Sequence, residues 1–486
     1  MSLQKRTLGG LFWTFGQQVG VQGINFVVQL LLARLLLPEA FGLIALIQIF
    51  LAIGQSLLDG GMTSSLIRTK DPSQEDYSSV FFINIIASII VYIILFLFAP
   101  LISQAFSLPE LMLIIRVYAV SFIIQAFVGV QTTRLTVEMN FKLQTYMQIP
   151  STLIGGLVGI WLALKGLGVW SLVWMQLVTS ILFMLQHWFR TNWRPSFVLS
   201  KQKLSYHFKF GYKLTLSAIL TSIYTNIYSV IIGKLFSVTQ LGYYNQANTL
   251  RMFPVQNLTV SLQKVTYPLF STLQDDNIKL KNVFKRITFL VFFIVSPLML
   301  FLIIIASPLF RILLTEKWLP AVPYFQILSL SAIVYPLSIY NLNLLLVKGR
   351  SGLHFKLEII KKVGSVFFLF LIIPYGIYGV VYAAAFSMLL HAFINSYFSG
   401  KIINYPLWEQ FKNLLPTLIV STVSFLITYL ANYIVLNKIY ELNDFSQISI
   451  LFSLFFMTYV ILSIIFNVHC LIEIKNIAKQ FIMKFK

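Results

Sequence analysis

The 486-residue chain is 58% hydrophobic, 15% aromatic and only 10% charged, with a mean hydropathy of +0.82, which is more apolar surface than a soluble core can hide. The balance of 36 Lys and Arg against 15 Asp and Glu gives +21, but the basic residues cluster in loops on one side of a membrane protein, so the charge does not imply nucleic acid. The single cysteine, Cys470, excludes an internal disulfide and a cysteine metal cluster, and the five histidines show no metal-ligand spacing.

Runs of about twenty mostly apolar residues predict fourteen spans. They lie near 9–37, 41–66, 78–104, 111–135, 143–164, 168–189, 209–233 and 240–265, then 286–309, 321–347, 357–373, 377–399, 411–434 and 447–471. The first run has no small-residue cleavage signal and reads as a helix, not a signal peptide. Placing the basic loops inside puts both termini, including the tail "EIKNIAKQFIMKFK", in the cytoplasm. The densest basic segment, 190–213, reads as a linker between two halves.

Those halves resemble each other. "ARLLLPEAFGLI" at 33 aligns with "GKLFSVTQLGYY" at 233, pairing Arg34 with Lys234 and Gly42 with Gly242, and weaker matches follow in order along the chain. A duplicated six-span unit of this kind places both copies in the same orientation, related by an axis along the membrane normal. The expected organisation is all-α, with a six-helix lobe at 1–195, a second at 196–403, and two further helices with a basic tail at 404–486.

Polar residues inside spans fall in stripes. Gln18, Gln22, Asn25 and Gln29 lie within about 60° of arc on the first span, and Gln48, Gln55 and Asp59 within about 40° on the second. Ser222, Thr225 and Asn226 mark span seven; Asn245, Asn248 and Gln256 mark span eight, with Pro254 as an expected kink. Four in-phase stripes on repeat-equivalent helices favour a central hydrophilic cavity over simple helix–helix hydrogen bonding. Arg251, deep in span eight, is the candidate for holding an anion such as a pyrophosphate, the other reading being a structural ion pair. Lys213 is a second, weaker candidate, and His391 with Asn395 reads as a packed core pair. Asp59, the one acidic residue within a span, stands as a gate or hinge element beside Gly60 and Gly61, as an ion-coupling carboxylate, or as a sugar ligand.

The segments "LLARLLLPEAFGLIAL", "LLDGGMTSSLIRTKDPSQEDYSSVFFIN", "APLIS", "EMNFKLQ" and "LALKGLGVWSLV" resemble the bacterial polysaccharide flippases of the multidrug/oligosaccharidyl-lipid/polysaccharide exporter superfamily. Asp59 and Gly61 match that family's Asp-x-Gly, Gly42 its Phe-Gly, and Phe141 its aromatic after span four; Val137 stands where the family often has Arg before the residue equivalent to Glu138. The resemblance implies fourteen helices in two six-helix bundles, alternating access, and an oligosaccharide repeat unit on undecaprenyl pyrophosphate as cargo. That cargo, destined for O-antigen, capsule or exopolysaccharide, passes to the outer leaflet of the bacterial inner membrane before polymerisation. The expected partners are this substrate, membrane lipids, and polysaccharide polymerase and export machinery. No cofactor is expected beyond a proton or sodium gradient.

Three alternatives compete. A multidrug cation antiporter on the same fold should carry more intramembrane carboxylates than Asp59. A lipid II flippase is a close variant. A membrane-embedded polymerase or ligase needs a larger outer platform than these short loops, and the chain has no G-x-x-x-x-G-K-[ST] phosphate loop, so it is read as a transporter and not an enzyme.

Overall fold

The computed structural model describes residues 3–436 and 443–466, with the side chains of 3–12, 14, 15, 59, 435 and 436 outside the described set. The C-terminal basic tail and Cys470 also lie outside the described residues. Among the described residues every long element is helical, and twelve segments are long and apolar enough to cross a membrane. The difference from fourteen has two sources. One 52-residue segment, Ser351–Ile402, contains two successive helices, and the helix Val238–Thr272, although 35 residues long, is too polar to qualify. The chain is an all-helical polytopic membrane protein.

It divides into two compact units, Met1–Gly242 and Tyr243–Lys486. The first contains α1 (Leu3–Leu35), α2 (Pro38–Asp59), α3 (Met62–Arg68), α4 (Gln74–Phe106), α5 (Glu110–Tyr118), α6 (Val120–Val137), α7 (Phe141–Leu164), α8 (Trp170–Arg190) and α9 (Lys201–Leu235). Helix α1 packs on α7, α7 on α8, and α4 on α6. Helix α9 lies against α2, α3 and α4, which is why the boundary falls at Gly242, past the break expected at 195. The starts of these helices follow local chemistry. Pro38 opens α2, where its missing N–H costs nothing, and Ser73 opens α4 in a reciprocal capping box with Asp76.

One close contact inside this unit is reciprocal. A Cβ on Gly42 would lie 1.9 Å from the Val238 carbonyl oxygen, and one on Gly242 would lie 2.0 Å from that of Pro38. Positions matched by the sequence repeat therefore meet reciprocally, the pattern of a two-fold contact. Only glycine permits so close a backbone approach.

The second unit contains α10 (Val238–Thr272, whose first turn belongs to unit one), α11 (Asn277–Ile304), α12 (Ala306–Leu313), α13 (Val322–Ala332), α14 (Tyr335–Val347), α15 (Ser351–Ile372), α16 (Gly376–Ile402), α17 (Leu407–Ala431) and α18 (Asp444–Ile465). Its core centres on Phe270, Phe284, Phe292, Tyr340 and Phe455. Helix α17 packs on α11 and α18, and Arg311 clamps the start of α18 through both oxygens of Asp444 at 2.9 Å.

Candidate functional site

The span expected at 41–66 is interrupted. Helix α2 stops at Asp59 because Gly60 (φ +49°) and Gly61 (φ +63°) both take the left-handed conformation, and α3 restarts at Met62. Gly61 has a second role: a Cβ there would lie 2.5 Å from the Gly211 carbonyl oxygen, and one on Gly211 would lie 2.1 Å from that of Gly60. The break in α2 thus seats directly on α9, backbone to backbone.

A buried carboxylate secures the same joint. Asp76, 2% exposed, accepts from the Ser73 amide at 2.8 Å and hydroxyl at 2.6 Å, and from Lys203 Nζ at 3.1 Å. Its other oxygen faces His207 Nε2 at 3.1 Å, and His207 Nδ1 meets the Ser65 hydroxyl at 2.8 Å. A carboxylate can only accept, so Nε2 carries the proton. Helices α3, α4 and α9 are joined through one fully buried imidazole.

Beside this joint lies a cavity of about 420 Å³ within the first unit. Its polar lining comes from Gln55, Ser56, Thr63, Ser64, Asn84, Gln125 and Thr215, and its apolar lining includes Leu58, Ala126 and Ala218. None of these side chains is ionisable. Ser56 donates to the Ala52 carbonyl and lies 3.4 Å from the Ser222 hydroxyl, so the polar faces of α2 and α9 meet here.

The other sequence-predicted residues are distributed as follows. Along α1, Gln22 and Asn25 are exposed, and Gln18 and Gln29 half-buried. Gln48, Gln55 and Thr225 are exposed, while Asn226 donates to the Ser222 carbonyl at 2.8 Å. Lys213 is exposed, with its ammonium 5.8 Å from the Tyr212 ring centre. In the second unit Asn245 and Asn248 are half-buried and Gln256 exposed.

Arg251 is 6% exposed and held by neutral acceptors. It donates to the Leu328 carbonyl at 2.7 Å, to the Ser331 hydroxyl at 3.2 Å, and to Asn248 Oδ1 at 3.0 and 2.8 Å. Among the described residues no carboxylate bonds it.

One cluster escaped the sequence reading and a second was seen only as its His391 and Asn395. The first is Asp76 with Ser65, Lys203 and His207. The other lies in the second unit, where Lys361, 3% exposed, pairs with Glu358 and donates to Asn395 at 2.9 Å, while Asn395 donates to the Ser338 hydroxyl at 2.9 Å. His391 bonds the Ser365 hydroxyl at 2.9 Å, so it and Asn395 belong to a packed polar core. For the first, Lys203 and His207 one turn apart on α9 were the available signal. The partners come from other helices.

Comparison with known proteins places this geometry. The family model described as "Polysaccharide biosynthesis protein" matches residues 31–323, which take in the α2–α3 break, the cavity and Arg251. The chain belongs to this polysaccharide biosynthesis protein family. Across 443 residues it is 24% identical to lipopolysaccharide biosynthesis protein WzxC of Escherichia coli (strain K12), covering 87% of this chain and 88% of that one. It is 25% identical over 319 residues to succinoglycan biosynthesis transport protein ExoT of Rhizobium meliloti (strain 1021), covering 66% of this chain and 65% of that one. Among solved structures, the lipid II flippase MurJ in an inward closed conformation superposes with a TM-score of 0.73 at 13% identity, over 94% of this chain and 98% of the other. The chain is thus a multi-pass membrane protein of the polysaccharide biosynthesis family with a MurJ-like fold.

Proposed function

We propose that the protein is a flippase that carries oligosaccharide repeat units on undecaprenyl pyrophosphate from the cytoplasmic to the outer leaflet by alternating access. The observation that carries this reading is a cavity at the α2–α3 break whose described lining is uncharged and rich in carboxamides and hydroxyls, in a chain of the polysaccharide biosynthesis family. Carboxamides both donate and accept, as sugar hydroxyls do, and they offer nothing that would select an organic cation over a glycan.

In this scheme fourteen helices cross the membrane, α10 among them, with both termini cytoplasmic and two repeat-related lobes. The polar stripes of α1 (Gln18, Gln22, Asn25, Gln29), α2 (Gln48, Gln55), α9 (Ser222, Thr225, Asn226) and α10 (Asn245, Asn248, Gln256) line the glycan path. Lys213 and Arg251 take the diphosphate, Arg251 by exchanging its Leu328 and Ser331 acceptors for phosphate oxygens in another state. Asp59, at the hinge, gates the path or couples it to a proton or sodium gradient.

Deleting the gene in its host tests the reading. Surface polysaccharide should disappear while lipid-linked repeat units accumulate on the cytoplasmic side; unchanged surface polysaccharide would contradict it.

A further inference from the structure

The cavity at the α2–α3 break has hydrogen-bonding groups that the protein does not use. Asn84 is 6% exposed, and its amide nitrogen lies 3.9 Å from where a Cβ on Gly129 would sit, across the cavity lining. Among the described residues no donor or acceptor meets its side chain, and the same is true of Gln55, Thr63, Ser64 and Gln125. A buried polar group left without a partner costs about 1–3 kcal/mol, and the cost is sharper at membrane depth, where water is scarce. Asn84 is the buried member; the half-buried Thr63 and Gln125 and the exposed Gln55 and Ser64 add four more side chains, so α2, α3, α4 and α6 present unengaged hydrogen-bonding groups around one cavity, open to an occupant that supplies the bonds.

The chemistry of that occupant follows from the lining. Carboxamides and hydroxyls present donors and acceptors together, which matches a polyol. A phosphate calls for cationic donors and an organic cation for carboxylates or aromatic faces, and the described lining has none of these. The volume of about 420 Å³ falls in the range of small-molecule sites, and Leu58, Ala126 and Ala218 offer apolar contact to the C–H faces of a ring.

We infer that this cavity is a subsite for uncharged sugar rings of the lipid-linked saccharide, built by the first unit alone. The inference rests on the flippase reading and adds a location and a ligand class to it. A neutral hexose or N-acetylhexosamine is held by Asn84 and Gln125 from one side and by Gln55, Thr63 and Ser64 from the other. A uronic acid is rejected, because no cation offsets the desolvation of its carboxylate.

The test uses the full chain in lipid nanodiscs, with saturation-transfer NMR on a panel of methyl hexopyranosides and N-acetylhexosaminides and with methyl glucuronide as the charged control. A neutral member of the panel should give a saturable signal and the glucuronide none. Asn84→Asp preserves side-chain volume while removing the amide donors, and should weaken the neutral sugar about tenfold. Gly129→Val fills the cavity from α6, where a Cβ meets nothing closer than 3.9 Å, and should abolish the signal with the protein still eluting as a single species. The inference is overturned if no neutral sugar binds, if the glucuronide binds equally, or if both variants bind like the wild type. Flipping of lipid-linked oligosaccharide by the wild-type protein is measured in parallel. Flipping without sugar binding removes the subsite and keeps the flippase reading, whereas failure to flip removes the flippase reading itself.

Discussion

Replacing Gly61 by alanine probes the joint on which this account depends. Two costs add. A non-glycine residue in the left-handed region costs about 1–2 kcal/mol, and Gly61 sits there with φ +63°. The new Cβ would also lie 2.5 Å from the Gly211 carbonyl oxygen and 2.6 Å from its Cα. Those are backbone atoms that cannot rotate away, so overpacking adds about 1–3 kcal/mol. The sum is about 2–5 kcal/mol, and at about 2–4 °C per kcal/mol for a unit of this size the melting midpoint should fall by several degrees or more. Gly60→Ala should suffer only the first cost, since its nearest neighbour is 3.7 Å away. Gly211→Ala should be destabilising despite the ~1 kcal/mol that alanine gains over glycine within a helix. Gly364→Ala in α15, where nothing lies within 4 Å, is the control and should be neutral or stabilising. Fluorescence-detected size-exclusion melting of the four variants reads the order directly. If Gly61→Ala melts with Gly364→Ala and transports normally, the seating of α2 on α9 is not what the joint requires.

Other substitutions test separate parts of the structure. Asp76→Asn removes the charge that Lys203 pairs with and turns one of the two acceptor oxygens into an NH2 donor, so that either His207 or Lys203 with the Ser73 cap loses its acceptor; it should cost about 3 kcal/mol, read as a lower melting midpoint that Ser78→Ala does not reproduce. Lys361→Met leaves Glu358 only Lys362 at 3.9 Å and takes the donor from Asn395 Oδ1, and should cost about 3 kcal/mol; an unchanged midpoint would show that the ammonium is dispensable to the packing of α15 on α16. Arg251→Ala should abolish complementation of glycan export in a deletion strain, with the protein still present in the membrane. Unchanged export would remove Arg251 from the site and leave it the structural role its contacts with Leu328 and Ser331 already describe.

Much of the architecture was legible in the sequence because membrane helices announce themselves by length and apolar composition. One close backbone contact was legible as a matched pair of glycines. Gly42 and Gly242 stand at equivalent positions since the backbones on both sides approach too closely for a side chain. The α2–α3 break was visible as Asp-Gly-Gly, although continuous hydropathy across 41–66 concealed that the helix stops there. The cavity was only partly visible. Gln55 belongs to a stripe, but Asn84 and Gln125 are isolated polar residues on separate apolar helices, and no periodicity connects them. The Asp76 hub was hidden for a related reason: Asp76 and His207 are 131 residues apart, and Lys203 looked like one more topology-setting charge. For Arg251 the sequence indicated depth but not partners. A guanidinium at that depth needs acceptors, and here backbone and hydroxyl oxygens supply them in place of a carboxylate.

The central claim is that the chain moves lipid-linked glycan. Purified protein in liposomes, given undecaprenyl-pyrophosphate-linked oligosaccharide extracted from its own host, measures this most directly through the appearance of the glycan head in the opposite leaflet. The account predicts protein-dependent translocation of that substrate and none of organic cations. Transport of organic cations with no movement of any lipid-linked glycan would contradict it.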